Sequence, residues 1–202
     1  HAWAGRSPFE EDAARKLAGL GYTALAMDVY GKGVLGGSPE ENTKLMAPFQ
    51  EDRAMLQNRL KVGLQVLRDQ AEVNAGKVAA TGYCFGGLCV LDLARTGEDF
   101  QGAASFHGLF NKPGNTDGNA IKAKVLALHG WDDPMVPPAD VVALAEELTA
   151  SGADWQIHGY GNTLHAFTNP EANAPDMGAM YQEDADRRSW QAMENFLAEV
   201  LA

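Results

Sequence analysis

Six residues, Gly82-Tyr83-Cys84-Phe85-Gly86-Gly87, constrain this chain more than any others. They join an apolar run, Lys77 to Thr81, that reads as a short buried strand, to a helical pattern from Leu88 to Ala94. A side chain displayed on so sharp a strand-to-helix turn needs neighbours without Cβ atoms, because strand and helix must approach closely. Gly82 and Gly86, on either side of Cys84, meet that need. The pattern is that of the G-x-S-x-G turn with a cysteine thiol in place of the serine hydroxyl. Taken alone, it is equally a glycine-rich turn carrying a buried thiol.

Strand-like and helix-like segments alternate along the rest of the chain, which predicts an α/β domain with a mostly parallel sheet. Pro8 to Leu20 reads as a helix capped by Ser7, with Glu10, Glu11 and Asp12 at its positive end and Gly21 as its stop. Tyr22 to Met27 reads as a strand. A second helix starts at Ser38-Pro39-Glu40-Glu41, and its pattern runs to about Gln70 with a break or kink expected at Pro48. Ala103 to Phe106, Val125 to Leu128 and Trp155 to Gly159 read as strands, Pro137 to Ala150 and Glu183 to Leu201 as helices, and 111 to 120 as a polar loop.

At 202 residues the chain is long enough to bury a full core, and 1–202 reads as a single domain. From His1 a loop and then a helix follow at once, so the strand that should precede that loop is lacking. Roughly 30 upstream residues, enough for a central strand and an edge hairpin, are therefore expected. A net charge of −11 disfavours nucleic-acid and acidic-membrane partners. No signal segment is visible, and the only cysteines, Cys84 and Cys89, are poorly placed to bridge. Free thiols in a reducing, cytoplasmic setting are the simplest expectation. Monomer and homodimer are both compatible with the surface.

A cysteine nucleophile needs a base, and the base needs an orienting acceptor. Both types follow Cys84 in chain order. Asp132-Asp133 comes just after the strand Val125 to Leu128, and His165 just after the next strand. Nucleophile, acid and histidine at the C-terminal ends of successive strands is the order found in α/β-hydrolases. Either aspartate could be the acid, and Asp133 before Pro134 could instead initiate a turn. His158 falls within a strand and reads as structural. His107 and His129, near strand ends, read better as packing or hydrogen-bonding residues than as reactive ones. No cluster has metal-ligand spacing, so neither metal nor cofactor is expected.

The sequence at this point resembles the dienelactone hydrolase family. The resemblance rests on Gly21-Tyr22-Thr23-Ala24-Leu25-Ala26-Met27-Asp28-Val29-Tyr30-Gly31, the turn around Cys84, His129-Gly130-Trp131-Asp132-Asp133-Pro134-Met135-Val136-Pro137, and His165-Ala166-Phe167. It covers essentially the whole chain and implies an α/β-hydrolase fold with little or no lid. It also implies a triad of Cys84, Asp133 and His165, choosing Asp133 over Asp132. The backbone N–H of Phe85 is expected as one oxyanion donor, and the resemblance implies Trp3 as the other.

Two departures from the family bear on the substrate. Many relatives carry a glutamate that controls the cysteine where this chain has Ala2, so the thiolate should form more readily here. Relatives acting on dienelactone hold its carboxylate with arginines. This chain has Asn169 four residues after His165, and Lys44 on the helix from Pro39. Neither replaces a bidentate arginine. Small uncharged esters or lactones, bordered by Trp3, Tyr83, Phe85, Trp131 and Phe167, are the expected substrates, although any one of these aromatics could equally pack the core. Neutral phosphotriesters, attacked to give a thiophosphoryl intermediate, are an alternative. A thiol sensor or binding protein on the same fold is another.

Overall fold

Capping chemistry sets the first helix, α1 (Pro8–Gly19). The Ser7 hydroxyl oxygen accepts the N–H of Phe9, and Glu10 accepts in return from the Ser7 N–H at 2.9 Å, a reciprocal box. The computed structural model describes all 202 residues, and their contacts divide the chain into two compact units, residues 1–75 and 76–202.

The first unit is helical. Ser38 caps α2 (Pro39–Glu51) by accepting the Glu41 N–H, and Asp52 caps α3 (Arg53–Arg68) by accepting the Met55 N–H. The break expected at Pro48 falls instead at Asp52, where φ −114° and ψ 83° leave the helical region. Pro48 lies within α2, near its end, because proline removes only its own donor there while Asp52 supplies a new cap. Leu56, Leu60 and Leu64 line the buried face of α3. The segment from Tyr22 to Met27, read as a strand, belongs to no sheet. Its sequence has strand character, but a strand exists only through a ladder with a partner, and no ladder forms here.

The second unit is built on a four-stranded parallel sheet in the order β1 (Ala79–Tyr83), β2 (Gly102–Phe106), β3 (Lys124–Gly130), β4 (Trp155–Tyr160). Parallel neighbours need crossovers, supplied by α4 (Phe85–Arg95) between β1 and β2 and by α5 (Pro138–Ala150) between β3 and β4. All of β2 is buried, as is β3 after Lys124, which explains their unbroken apolar runs. A two-stranded antiparallel hairpin, β5 (Asn173–Ala174) and β6 (Ala179–Met180), precedes the closing helix α6 (Glu183–Val200), whose Met193, Phe196 and Leu197 are buried. This parallel sheet flanked by helices is the expected fold class.

Inside this unit Arg95 is 2% exposed, yet none of its charge is stranded. It donates to both carboxylate oxygens of Glu147 at 2.9 and 2.8 Å, to Asp92 at 3.2 Å and to the Phe110 carbonyl at 2.9 Å. A buried guanidinium is tolerable only when its donors are satisfied in this way, and the network ties α4 to α5. No helix in the chain is long and apolar enough to cross a membrane.

Candidate active site

Cys84, Asp133 and His165 each follow the C-terminal end of a parallel strand, the edge where open α/β sheets place their ligands. Cys84 sits between β1 and α4 with φ 55° and ψ −114°, a left-handed conformation that disfavours residues with a Cβ. Its N–H donates to the Phe106 carbonyl at 3.0 Å, and its own carbonyl accepts from Gly87 and Leu88 at the start of α4. The glycines are required by contact. A Cβ on Gly82 would run into the Gly86 carbonyl, and one on Gly87 would stand 2.6 Å from the Cα of Gly108. The whole of α4 is buried, whereas Cys84 remains half-exposed. The thiol is therefore the group that this turn presents to solvent, at the positive end of a helix whose first residue is Phe85.

The two adjacent aspartates have different tasks. Asp133 is buried and lies 2.7 Å, through Oδ2, from Nδ1 of His165. Its other oxygen accepts the Met135 N–H at 2.8 Å, which fixes the carboxylate in its turn. Asp132 is exposed and joins loop to loop: its N–H donates to the Thr163 carbonyl and its Oδ2 accepts the Thr163 N–H. The histidine loop also rests on Gly130, where a Cβ would lie 2.6 Å from the carbonyl oxygens of Thr163 and Leu164.

His165 is buried, which opposes its charged form, but the negative charge of Cys84 and the hydrogen bond to Asp133 override that and push its pKa up to about 10. Behind it stands His107, its ring 5.2 Å from that of His165 in an edge-on arrangement and its Nε2 2.8 Å from the Thr168 hydroxyl. Burial, followed by repulsion from His165, lowers the His107 pKa well below its ordinary value, so this second imidazole stays neutral. His129 is likewise buried and shifted down, chiefly by desolvation. His158 lies half-buried in β4.

Several aromatics expected to border the substrate do something else. Phe167 has no exposed surface and packs on His107 and Tyr160, and Tyr83 is buried and stacked on Phe106 at 4.9 Å. Both support the site from within the core. Trp131 is 47% exposed but leans on Gly159 of β4, on the side of the sheet away from β1 and Cys84. In the first unit, Trp3 belongs to a tightly bonded loop. Its carbonyl accepts from the Tyr30 hydroxyl at 3.0 Å, and the neighbouring Ala2 N–H donates to Glu10. Sequence reasoning missed the reciprocal Ser7–Glu10 box, which the Ser7-x-x-Glu10 spacing signals, and this second use of Glu10, which no spacing rule signals. It also missed the contact of His107 with His165.

Residues 1–201 match the sequence model of the dienelactone hydrolase family. An uncharacterised protein of Caenorhabditis elegans is 35% identical over 154 residues, covering 73% of this chain and 95% of its own length. Two solved structures superpose with a TM-score of 0.93 over the full chain. One, named m3DLH, is 37% identical and is covered over 84% of its length. The other, a dienelactone hydrolase-like promiscuous phosphotriesterase from metagenomic libraries, is 35% identical and also covered over 84%. Sequence and fold agree, and the chain belongs to the dienelactone hydrolase family.

Proposed function

We propose that this chain hydrolyses small uncharged esters or lactones through a Cys84–His165–Asp133 triad. Ester-bond hydrolysis follows from the family; the nucleophile, the acid and the substrate class are the finer reading. The observation that carries it is the buried 2.7 Å contact of Asp133 with the side of His165 away from Nε2, in a histidine whose charge is supported by Cys84. With Nδ1 committed to the carboxylate, Nε2 is the nitrogen left for proton exchange with sulfur.

The steps balance without any further reactant than water. His165 takes the proton of the Cys84 thiol, and the thiolate adds to the carbonyl carbon of the substrate. Oxyanion charge develops near the start of α4, where the Phe85 N–H would donate. Collapse breaks the C–O bond, the leaving alkoxide takes the proton from His165, and a thioester remains on Cys84. His165 then deprotonates a water that attacks the thioester. The carboxylic acid departs and the thiol is restored.

Uncharged substrates are favoured because the positions where the family resemblance implies carboxylate-holding arginines carry none here. Asn169 accepts the Glu171 N–H through Oδ1 within its own turn, and Lys44 is paired with Glu40 at 2.7 Å. A second reading, hydrolysis of neutral phosphotriesters, is supported by the likeness to the promiscuous phosphotriesterase structure. There sulfur would displace the alcohol or phenol from phosphorus, and water would then displace sulfur. Mass spectrometry during turnover of an activated aryl ester tests the first reading: an acyl adduct on Cys84, absent together with turnover in Cys84→Ala, is the expected result. A folded Cys84→Ala that turns over at the native rate would end it. The same assay with an aryl dialkyl phosphate examines the second, for which a phosphoryl adduct that never releases would mean inhibition rather than catalysis.

A further inference from the structure

Asp133 and His165 come from different loops, and their geometry depends on how those loops are pinned together. On one side the Asp132–Thr163 hydrogen bonds do this at 3.0 and 3.1 Å. On the other side the joint is a single glycine. Gly178 follows a short turn after β5, with φ 75° and its N–H donating to the Pro175 carbonyl at 2.8 Å. Its carbonyl accepts the His165 N–H at 2.9 Å, and the His165 carbonyl accepts the Met180 N–H at 2.9 Å. Both backbone polar groups of His165 are thus held by the hairpin. On its other side, the Cα of Gly178 is pressed against Pro134, the residue next to Asp133. A Cβ built on Gly178 would lie 2.6 Å from Pro134 Cδ, closer still to Cγ, and 3.6 Å from Cβ.

We propose that Gly178 is a positioning residue: its carbonyl holds His165 while its bare Cα seats Pro134, fixing the separation at which the acid reaches the histidine. The positive φ alone would explain a glycine in that turn, but it does not explain the contact with Pro134. Any larger residue must push the proline ring or the hairpin away. The ring is rigid and adjacent to Asp133, whose second oxygen is bound to the same turn through Met135, so a push on it moves the carboxylate. The groups that bear on the His165 charge are Cys84, Asp133, His107 and His129, and of these only Asp133 is placed by this contact. The role of Gly178 rests on the triad reading for its catalytic meaning.

The test is a compensating pair, Gly178→Ala and Pro134→Ala, with their double variant. Each is measured by the pH dependence of Cys84 alkylation with iodoacetamide, by turnover of an activated aryl ester, and by urea unfolding. Gly178→Ala should lower kcat by about tenfold or more with little change in KM, as expected for misplaced catalytic groups. Its alkylation should set in at higher pH, because the imidazolium that accompanies the thiolate has lost support. Pro134→Ala loses the buttress and should shift in the same direction by less. In the double variant the new methyl meets the Cβ of residue 134 near van der Waals distance, so rate and profile should return towards native despite two substitutions. A role in stability alone would lower the urea midpoint and leave the profile in place. A folded Gly178→Ala with native rate and profile, or a double variant no better than Gly178→Ala, overturns the proposal. If Gly178→Ala does not fold, a native profile in Pro134→Ala overturns it. An alkylation profile that responds as expected in a protein without ester turnover would keep the positioning role and remove the hydrolase reading.

Discussion

Cys84 is the largest influence favouring the charged form of His165, so the histidine should report the loss of sulfur directly. Burial opposes the imidazolium, and the Cys84 charge and Asp133 hydrogen bond together raise the pKa to about 10. Without the thiolate, only Asp133 is left to offset desolvation. The His165 pKa in Cys84→Ala should therefore fall by more than a unit, read from imidazole nitrogen shifts in an NMR titration. A value still near 10 would mean that the carboxylate alone suffices. The linkage has a definite sign. A histidine whose folded pKa is raised contributes stability that is fully present below its unfolded value of about 6.5. Because the unfolded thiol keeps its proton to about 8.5, folded and unfolded forms of the Cys84–His165 pair bind equally many protons from about 6.5 up to there, and the contribution is lost as pH rises from about 8.5 through about 10. Urea midpoints measured across this window should fall more steeply for the native chain than for Cys84→Ala.

The strand–turn–helix element makes this display of sulfur possible, and its tolerance is narrow. Gly82→Ala sets a methyl against the Gly86 carbonyl, backbone against which no rotamer change can help. A loss of about 2–3 kcal/mol in urea unfolding is expected, the upper range for overpacking, together with loss of Cys84 alkylation specificity. An unchanged midpoint would show that the turn can open without cost. This element was legible because glycine spacing around a reactive residue states a local requirement. The order of acid and histidine was legible for a similar reason, since each follows its own strand. What escaped was set by partners distant in sequence. Tyr22 to Met27 has strand composition and no ladder, and the α2–α3 break was decided by a cap at Asp52 rather than by Pro48. Hydrophobic character could not tell whether Tyr83 and Phe167 face a substrate or the core. No spacing rule connects Pro134 with Gly178, whose contact exists only once both loops are folded.

At the scale of the whole chain, 27 acidic residues against 16 basic ones leave a net charge of −11, a field that any anionic substrate must cross. An anionic substrate needs local cations to overcome such a field. The positions at which the family resemblance implies such cations hold Asn169, which serves its own turn, and Lys44, which serves Glu40. An anionic ester should consequently be a poorer substrate than its neutral isostere, and the difference should depend on salt. Between 0.01 and 0.1 M salt the Debye length shrinks from about 30 to about 10 Å, so repulsion from the distant carboxylates is largely removed. Over this range kcat/KM for the neutral ester should stay flat, while that for the anionic ester should rise several-fold towards it. The opposite slope, an anion preferred at low salt and losing its advantage as salt is added, would require a local cationic site strong enough to reverse the field. That outcome would return a carboxylate-bearing lactone to the front and end the assignment to uncharged substrates.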